Sequence, residues 1–564
     1  MTSPPLFFHF CVFFFLVSGV YAQAPRPNGR DNTALTPLSE DDADLPVQQL
    51  AQCNQTHFRT YDGSCNNLRN PLWAAAGTAQ FTYHPSHTST TALGSRLPSA
   101  RLLSNILSSQ SSDLLNNRFV SEFTVFFGQF LDHTIVATPV NQSESMPIPI
   151  PHADPIFSNF SKGTLPFHRS VRAALPDAPH LERPINSLSS LIDLSSVYGA
   201  DDLRTNVLRS FSKGEIRTSP KGMLQLNTQR LRNAPSNQPH FFLAGDHRAN
   251  EHPMLTALHI LFVREHNRIC RELKAQYPRW DDERLFQNAR HINIAQFQKV
   301  VYEEFIPAMT GRYVGRYYGY LPNVNPTVSL IFSTAAYRVG HTMVGNSIHR
   351  LGKGLRNMPS FQFTSMFFRP STVMNEGIEP FLRGSLYHRA QEVDLSVHDA
   401  LRNFLFTGIP QESGVDLVAL NIQRGRDHAL PTYNKVRQLM GRRPARTFAD
   451  ISRDPAVQSK LATAYGTVNK VELWPGLVAE DHVHRASMGP TMLRIWHTEF
   501  ARLRDGDRFY YRRWQAFPLH MWWRVPSLRR FVYSRRSTMR EILIQNTGIA
   551  SWEVPRNPFF SGGL

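Results

Sequence analysis

Three polar side chains interrupt an otherwise apolar stretch of the chain. The run from residue 122 to 136 is rich in phenylalanine, yet it contains Gln129, Asp132 and His133. Because residues i, i+3 and i+4 share one face of a helix, the amide, the carboxylate and the imidazole should project together. An imidazole beside a carboxylate can transfer protons or bind a metal. The alternative is a core histidine whose hydrogen bonds are satisfied by its own aspartate.

Two further polar clusters could carry chemistry, and each also has an ordinary structural explanation. Arg248 and Glu251 lie in a polar loop that leads into a helix, where glutamate can cap the helix and arginine can form surface ion pairs. Arg338 and His341 share one face of a predicted helix, with Gly340 leaving room beside the histidine. A lone histidine in such a helix is more often structural than functional.

Two more segments complete the set of candidates. Asn421 lies within the polar segment 420–428, which on its own would pass for the solvated end of a helix. Segment 189–195 offers hard oxygens from Ser189, Asp193 and Ser195, together with a backbone carbonyl between them. Such oxygens suit Ca²⁺, although a polar loop with local turns explains the same residues.

The segments that must hold these side chains have apolar residues at mainly helical spacing. Pro253 suits the first turn of a helix, and apolar residues at helical spacing follow it. The predicted helices span residues 122–136, 254–273, 281–302, 328–344 and 397–406. The proline-rich stretch 141–186 is predicted to be an ordered loop, because strand alternation is scarce. We therefore expect a mainly α fold with little β structure.

The predicted organisation is that of a secreted protein. Residues 1–22 look like a signal peptide, with an apolar run and small residues before the cleavage point. Residues 23–50 indicate a disordered leader or propeptide, residues 51–115 a wrapping N-terminal extension, and residues 116–555 one large main domain. No later stretch is long and apolar enough for a transmembrane anchor.

Cysteine usage and charge agree with an extracellular chain. We expect Cys53 and Cys65 to form a disulfide in an oxidising compartment, and Cys270 to be a buried free thiol. Residues 54, 141 and 159 begin Asn-x-Ser/Thr patterns typical of glycan acceptors. The formal charge of +17 is scattered, without a zinc spacing or a dense basic run. Ordinary solvated surface charge explains it best, and loose contact with a polyanionic matrix is the alternative; no specific nucleic acid partner is expected.

Five motifs, taken in order, resemble one family. They are Gly-Gln-Phe-Leu-Asp-His, Phe-Leu-Ala-Gly-Asp-x-Arg-x-x-Glu, Arg-Glu-His-Asn, Arg-x-Gly-His and Leu-Asn-x-Gln-Arg-x-Arg-Asp-His. This order resembles the animal haem peroxidases of the peroxidase–cyclooxygenase superfamily, which includes myeloperoxidase, lactoperoxidase, peroxidasin and chorion peroxidases. The resemblance runs from about Cys53 to Gly548. It implies a haem peroxidase domain with haem b held between central helices.

On the distal side of the haem, the resemblance implies a role for five residues. His133 would be the base that moves a proton between the two oxygens of H₂O₂, and Arg248 would stabilise the charge of O–O cleavage. Gln129 would hold a water or a halide. Asp132 and Glu251 match residues that form ester bonds to haem methyl groups in this family, so a covalently held haem is expected.

On the proximal side, the resemblance implies that His341 is the axial ligand of the haem iron. Asn421 would accept the other ring N–H of His341 and so orient the ring. Arg338 would lie near a haem propionate.

Two departures from the family pattern change the expectations. His252 follows Glu251 where myeloperoxidase has a methionine that makes a third haem link, so that link should be absent here. Thr134 follows His133 where the family usually has a calcium-binding aspartate. The remaining calcium ligands are matched by Ser189, the Leu191 carbonyl, Asp193 and Ser195. Losing one of two carboxylates should weaken Ca²⁺ binding.

The implied function is a secreted peroxidase that oxidises small donors with H₂O₂ through a compound I intermediate. The expected donors are phenols such as tyrosine, iodide, bromide or thiocyanate, and strong chloride oxidation is not expected. One alternative is a cyclooxygenase-like fatty-acid dioxygenase. That branch has a tyrosine three residues before the proximal histidine. Here Arg338 stands at that position and Tyr337 lies four residues before His341, which argues against this alternative. Another is a non-enzymatic matrix or adhesion protein, against which the complete set of haem-site residues argues.

Overall fold

The computed structural model describes residues 53, 57–83, 97–110, 112–158, 163–175, 178–406, 414–513, 515, 524–533 and 537–562. The predicted signal peptide, the predicted leader and the glycan acceptors at 54 and 159 lie outside the described residues. The described residues form a single, mainly α domain, as the helical periodicity predicted.

Helices supply most of the regular structure. In chain order they are α1 Ala100–Leu107, α2 Glu122–Ile135, α3 Ser195–Tyr198, α4 Asp202–Leu208, α5 Pro253–Gln276, α6 Asp282–Val300, α7 Ile306–Thr310, α8 Leu330–Thr334, α9 Pro370–Glu376, α10 Glu379–Tyr387, α11 Asp399–Arg402, α12 Leu417–Asp427, α13 Tyr433–Leu439, α14 Pro455–Tyr465, α15 Leu473–Val478, α16 Pro490–Asp505, α17 Pro526–Tyr533 and α18 Thr538–Asn546. Within the described part of the chain, none of these helices has both the length and the apolar character needed to cross a bilayer.

The strands of the described residues are mostly short. They are β1 Thr78–Ala79, β2 Ser109–Gln110, β3 Val140–Ser145, β4 Ile148–Pro149, β5 Thr164–Leu165, β6 His168–Ser170, β7 Arg172–Leu175, β8 Ala178–Asn186, β9 Thr218–Ser219, β10 Met223–Leu224, β11 Ser347–Leu351, β12 Asn357–Gln362 and β13 Val397–His398. The largest sheet has three strands in the order β1-β8-β7, and the others are pairs.

Three predicted helices are confirmed with small changes at their ends. The helix predicted at 122–136 is α2, and the one predicted at 254–273 is α5, which begins at Pro253 and runs on to Gln276. The helix predicted at 281–302 is α6, which is followed by a π-helical turn, Val301–Phe305.

The helix predicted at 328–344 is wrong in its continuity. It divides into α8 and a 3₁₀ turn, Ala336–Thr342, at Ala335, whose backbone leaves the helical region. Distant side chains explain the break, because they take backbone carbonyls that a continuous helix would use. Trp496 donates to the carbonyl of Ala336 at 2.9 Å, and Trp474 donates to that of Arg338 at 3.5 Å. The segment that holds His341 is therefore shaped by tertiary contacts.

Two other local predictions are wrong. Residues 397–406 are not one helix, because Val397 pairs with Ser109 in a parallel ladder and only Asp399–Arg402 is helical. The stretch 141–186 is not a loop, because it folds into the antiparallel pairs β3–β6, β4–β5 and β7–β8. The prolines explain the wrong prediction, because proline in a sequence argues against a strand. In the structure Pro149 ends β4, and Pro184 lies in β8 opposite Arg172.

The phenylalanine stripe of α2 fixes that helix in the core. Phe130 is fully buried, stacks on Phe262 of α5 at 5.2 Å between ring centroids, and meets His259 edge-on at 4.9 Å. Phe127 packs against Phe297 of α6 at 5.6 Å. Burying a phenylalanine side chain contributes about 1.5–3 kcal/mol. This packing sets which face of α2 remains for the polar residues.

The N-terminal segment lies against the C-terminal part of the domain. Arg59 forms a buried ion pair with Asp507 at 2.6 Å, and the amide of Asn66 donates to the carbonyl of Gly506 at 2.9 Å. Cys53 and Cys65 form the expected disulfide, and Cys270 is a buried free thiol. The wrapping extension at 51–115 and the main domain at 116–555 stay predictions.

Candidate active site

α2 presents its polar residues to a buried cavity. Gln129, Asp132 and His133 all line this cavity, as the helical spacing predicted. The helix ends at Ile135, and the N–H of Val136 still bonds to the carbonyl of Asp132 at 2.8 Å. Regular helical geometry therefore extends through all three side chains and keeps them on one face.

His133 lies between two buried carboxylates. Its Nδ1 is 3.5 Å from Oδ1 of Asp246, and its Nε2 is 3.8 Å from Oε2 of Glu251. Nδ1 has no hydrogen-bond partner among the described residues. Burial, followed by the charge of Arg248, holds the pKa of His133 well below its usual value. The ring is therefore neutral at pH 7 and able to accept a proton.

Arg248 is fixed by Asp246 on the same loop. Its Nε donates to Oδ1 of Asp246 at 2.9 Å, and a terminal nitrogen donates to Oδ2 at 2.8 Å and to the carbonyl of Val136 at 3.0 Å. The loop is so closely packed that a Cβ on Gly245 would lie 2.2 Å from the backbone oxygen of Ser195. The guanidinium is thus a fixed positive charge at the cavity wall.

Gln129 links Glu251 to His252. Its Nε2 donates to Oε1 of Glu251 at 2.9 Å, and its Oε1 is 2.7 Å from Nε2 of His252. Burial raises the pKa of Glu251 well above its usual value. The Glu251 side chain is not itself part of the cavity lining; it contacts the lining residues Gln129 and His133.

Asp132 faces the cavity without a hydrogen-bond partner among the described residues. Burial raises its pKa to about 6, against the opposing charges of Arg248 and Arg338. Burying a carboxyl group that makes no hydrogen bond is costly. Such a group at a cavity wall is available for a ligand or for a covalent bond.

His341 borders the same cavity from the 3₁₀ turn. Its Nδ1 is 2.9 Å from Nδ2 of Asn421 on α12, and the amide oxygen of Asn421 accepts from Arg338 at 3.0 Å. The amide therefore donates to the ring, whereas we expected it to accept the ring N–H. Arg338 is the cause, because its guanidinium takes the amide oxygen and leaves the amide nitrogen towards His341. Burial, then the charge of Arg338, lowers the pKa of His341 to about 3.

The cavity shared by His133 and His341 suits a flat, acidic cofactor. Its empty space is about 1390 Å³, part of it open to solvent. A Cβ added to Gly340 would meet no atom within 4 Å, so the backbone beside His341 is open. Nε2 of His341 has no hydrogen-bond partner in the described part of the chain, and Arg248 and Arg338 both line the cavity. An imidazole for iron and cations for carboxylates are a donor set that fits haem.

The residues predicted to bind calcium lie close together, but their oxygens are engaged in hydrogen bonds with neighbouring protein groups. The Ser189 hydroxyl donates to Oδ2 of Asp193 at 2.6 Å, and the Ser195 N–H donates to Oδ1 at 3.0 Å. The Ser195 hydroxyl donates to the Thr134 carbonyl at 2.6 Å, and the Leu191 carbonyl accepts from the Asp193 N–H at 2.9 Å. One carboxylate with its oxygens already engaged fits Ca²⁺ poorly, because affinity follows ligand charge.

Two residues have contacts that the motifs did not assign. Asp246 fixes Arg248 and lies beside His133. In the sequence, only its position two residues before an arginine in a loop could have indicated this role. His252 contacts Gln129, and the available signal was its departure from the family methionine. Six of the eight expected residues line one cavity, and the other two, Glu251 and Asn421, bond to the lining residues Gln129 and His341.

Comparison with known sequences agrees with the motifs. The family model described as animal haem peroxidase matches residues 58–559. The chain is 33% identical to peroxinectin A of Dictyostelium discoideum, over 81% of this chain and 89% of that protein. It is 32% identical to human eosinophil peroxidase, over 89% of this chain and 76% of that protein. A mouse peroxidasin homolog is 32% identical over 81% of this chain but only 35% of that protein.

Comparison with solved structures agrees at the level of the fold. Peroxidase A from Dictyostelium discoideum superimposes with a TM-score of 0.80 at 30% identity, covering 90% of this chain and 100% of that chain. A rice fatty acid alpha-dioxygenase gives a TM-score of 0.77 at 17% identity, covering 90% and 87%, a likeness of fold alone. The chain belongs to the animal haem peroxidase family, and haem-dependent peroxidase activity is its general function.

Proposed function

We propose that this protein is a secreted haem peroxidase that uses H₂O₂ to oxidise small donors, namely phenols such as tyrosine, iodide, bromide or thiocyanate. The observation that carries the proposal is that His133 and His341, from different elements, border one cavity together with Gln129 and Arg248. Haem, when bound, supplies the iron redox chemistry that couples reduction of H₂O₂ to oxidation of the donor.

The distal residues handle protons and charge. His133 takes a proton from one oxygen of H₂O₂ and delivers it to the other, which leaves as water. Its lowered pKa supports this role, because only the neutral ring can act as the base. Arg248 stabilises the charge that develops as the O–O bond breaks, and its two hydrogen bonds to Asp246 keep it in place.

The proximal residues hold the cofactor. His341 would hold the haem iron through Nε2, the nitrogen without a partner in the described chain. In that role Nδ1 carries the ring proton, so the oxygen of Asn421, rather than its nitrogen, must face the ring. Arg338 would then pair with a propionate in place of the amide oxygen that it contacts in the structure.

Asp132 and Glu251 would hold the haem through ester bonds to its methyl groups. Each link would replace a methyl C–H bond by a C–O bond, a two-electron oxidation in which one H₂O₂ is reduced to two molecules of water. The raised pKa of each carboxyl supports this role, since burial makes both charged forms unfavourable. An ester removes the charge and with it the cost of burying a carboxylate. No third covalent link is proposed, because His252 stands where the methionine of myeloperoxidase forms one.

The remaining proposals concern the location of the protein and the binding of Ca²⁺. The predicted signal peptide and the Cys53–Cys65 disulfide support secretion. The scattered positive charge supports loose contact with a polyanionic matrix. The self-bonded cluster around Asp193 supports weak Ca²⁺ binding at most. Calcium thus has no part in the proposed chemistry.

The test uses purified, haem-loaded full-length protein. The wild type should oxidise guaiacol with H₂O₂, and His133→Ala should lower the rate of reaction with H₂O₂ by about 100-fold or more while the Soret band remains. His152→Ala is the matched control, because His152 is exposed and outside the cavity. Full activity of the His133 variant would contradict the proposed role.

The alternative of a fatty-acid dioxygenase needs a tyrosine free to react with the lipid. Tyr337 lines the cavity, but its hydroxyl donates to the carbonyl of Gly128 at 3.2 Å and its ring stacks on Trp496 at 5.1 Å. Uptake of O₂ with a polyunsaturated fatty acid and only trace peroxide would favour this alternative.

A further inference from the structure

His252 occupies a position with two separate hydrogen bonds. It is the N-cap of α5, where its Nδ1 accepts the backbone N–H of Leu255 at 3.3 Å. A neutral imidazole that accepts at Nδ1 carries its proton on Nε2. Burial lowers the pKa of His252 to about 3, so the ring is neutral at physiological pH. The helix terminus therefore selects the tautomer, and Nε2–H becomes a donor.

That donor points at the distal glutamine. Nε2 of His252 lies 2.7 Å from Oε1 of Gln129, so the amide oxygen accepts a hydrogen bond from the ring. The amide nitrogen then lies on the other side of the group, where it donates to Oε1 of Glu251 at 2.9 Å. The second N–H of Gln129 has no partner among the described residues, and Gln129 lines the cavity.

Two aromatic rings pack against the ring of His252. Phe126 on α2 lies 5.1 Å from it between ring centroids, and Phe363 lies 5.6 Å away. These contacts fix the plane of the imidazole and hence the direction of Nε2–H. The orientation of the Gln129 amide is therefore set by a rigid, neutral donor.

We propose that His252 is a positioning residue that orients the Gln129 amide so that its free N–H, rather than its oxygen, faces the cavity. An N–H directed into the cavity stabilises an anionic donor such as thiocyanate or iodide, whereas an amide oxygen would repel it. Without His252 the amide can turn over and present that oxygen. The inference rests on the proposed function, and it makes His252 a determinant of preference for anionic over neutral donors.

His252→Asn is the decisive variant. Asparagine is a good N-cap, so it keeps the bond to the helix end, but it is too short to reach Gln129. In haem-loaded protein we expect the Kd of thiocyanate, measured by titration of the Soret band, to rise about tenfold, the size of one lost hydrogen bond. The KM for thiocyanate should rise with it, while the KM for neutral guaiacol should stay unchanged.

Two further variants separate positioning from general damage. His252→Gln restores a side-chain N–H of suitable length and should recover thiocyanate binding. The double variant His252→Asn with Gln129→Leu should bind thiocyanate no more weakly than Gln129→Leu alone, because both changes remove the same interaction. His152→Ala is the control, because His152 is exposed and lies outside the cavity.

The outcomes are distinct. An unchanged thiocyanate Kd in a haem-loaded His252→Asn variant, or additive effects in the double variant, would overturn the positioning role while leaving peroxidase activity in place. If His252→Asn fails to load haem, the thiocyanate Kd of His252→Gln is compared with that of Gln129→Leu. Equal weakening of thiocyanate binding in these two variants would refute the proposal. Absence of a haem spectrum and of guaiacol oxidation in the wild type would instead refute the proposed function itself.

Discussion

Asp246→Asn should damage both stability and the reaction with peroxide. Asp246 accepts three hydrogen bonds from Arg248, one from its backbone N–H at 2.8 Å and two from its guanidinium at 2.9 and 2.8 Å, and its Oδ1 lies 3.5 Å from Nδ1 of His133. All three side chains are nearly buried. Asparagine keeps the shape but can accept at only one oxygen and has no charge. The loss of one charge-assisted hydrogen bond and the weakening of the other two should cost about 2–4 kcal/mol of unfolding free energy.

The same change should release Arg248 from its fixed position. A displacement of about 1 Å at a catalytic group lowers rates by roughly 100-fold, so we expect a fall of that order in the rate constant for H₂O₂. Urea unfolding measures the first effect and stopped-flow spectroscopy the second. Glu215→Gln, at a single ion pair with the exposed Arg271, is the control and should cost under about 1 kcal/mol. A stability change below about 0.5 kcal/mol with an unaltered rate constant would refute the reasoning.

Three further predictions follow from the same site. The lowered pKa of His133 keeps the ring neutral as pH falls, so the rate constant for H₂O₂ should stay level from pH 8 to well below 6.5; a fall centred on 6.5 in stopped-flow data would contradict it. Thr134→Asp adds a second carboxylate to the Asp193 cluster and should create Ca²⁺ binding detectable by calorimetry, while Thr134→Asn should not. In mass spectra of haem peptides, Asp132→Asn and Glu251→Gln should each lose one ester link, and unchanged spectra would exclude that residue as an attachment point.

Short-range periodicity was enough to predict the distal wall. Gln129, Asp132 and His133 belong to one helix, and their common face depends only on their spacing and on the phenylalanine stripe opposite. Cys270 at the end of a helical run was predicted on the same basis to be buried. Arg248 and His341 are far from α2 in sequence, and only the order of the motifs indicated that they belong to one site.

Contacts between distant residues explain what the sequence pattern missed. The turn that holds His341 departs from a helix because Trp496 and Trp474 bond to its carbonyls, and nothing local indicates either tryptophan. The Asn421 amide donates to His341 in the structure because Arg338 takes its oxygen, a contact between distant residues that no local pattern indicates. The hairpins of 141–186 were missed because proline-rich composition resembles a loop when the pairing partner is unknown.

Axial ligation by His341 is tested most directly by the optical spectrum of His341→Gly with and without added imidazole. With His341 as the ligand, the variant should lose the Soret band of a histidine-ligated haem and regain it when imidazole fills the space. A wild-type Soret band in His341→Gly without imidazole would show that the iron is held elsewhere.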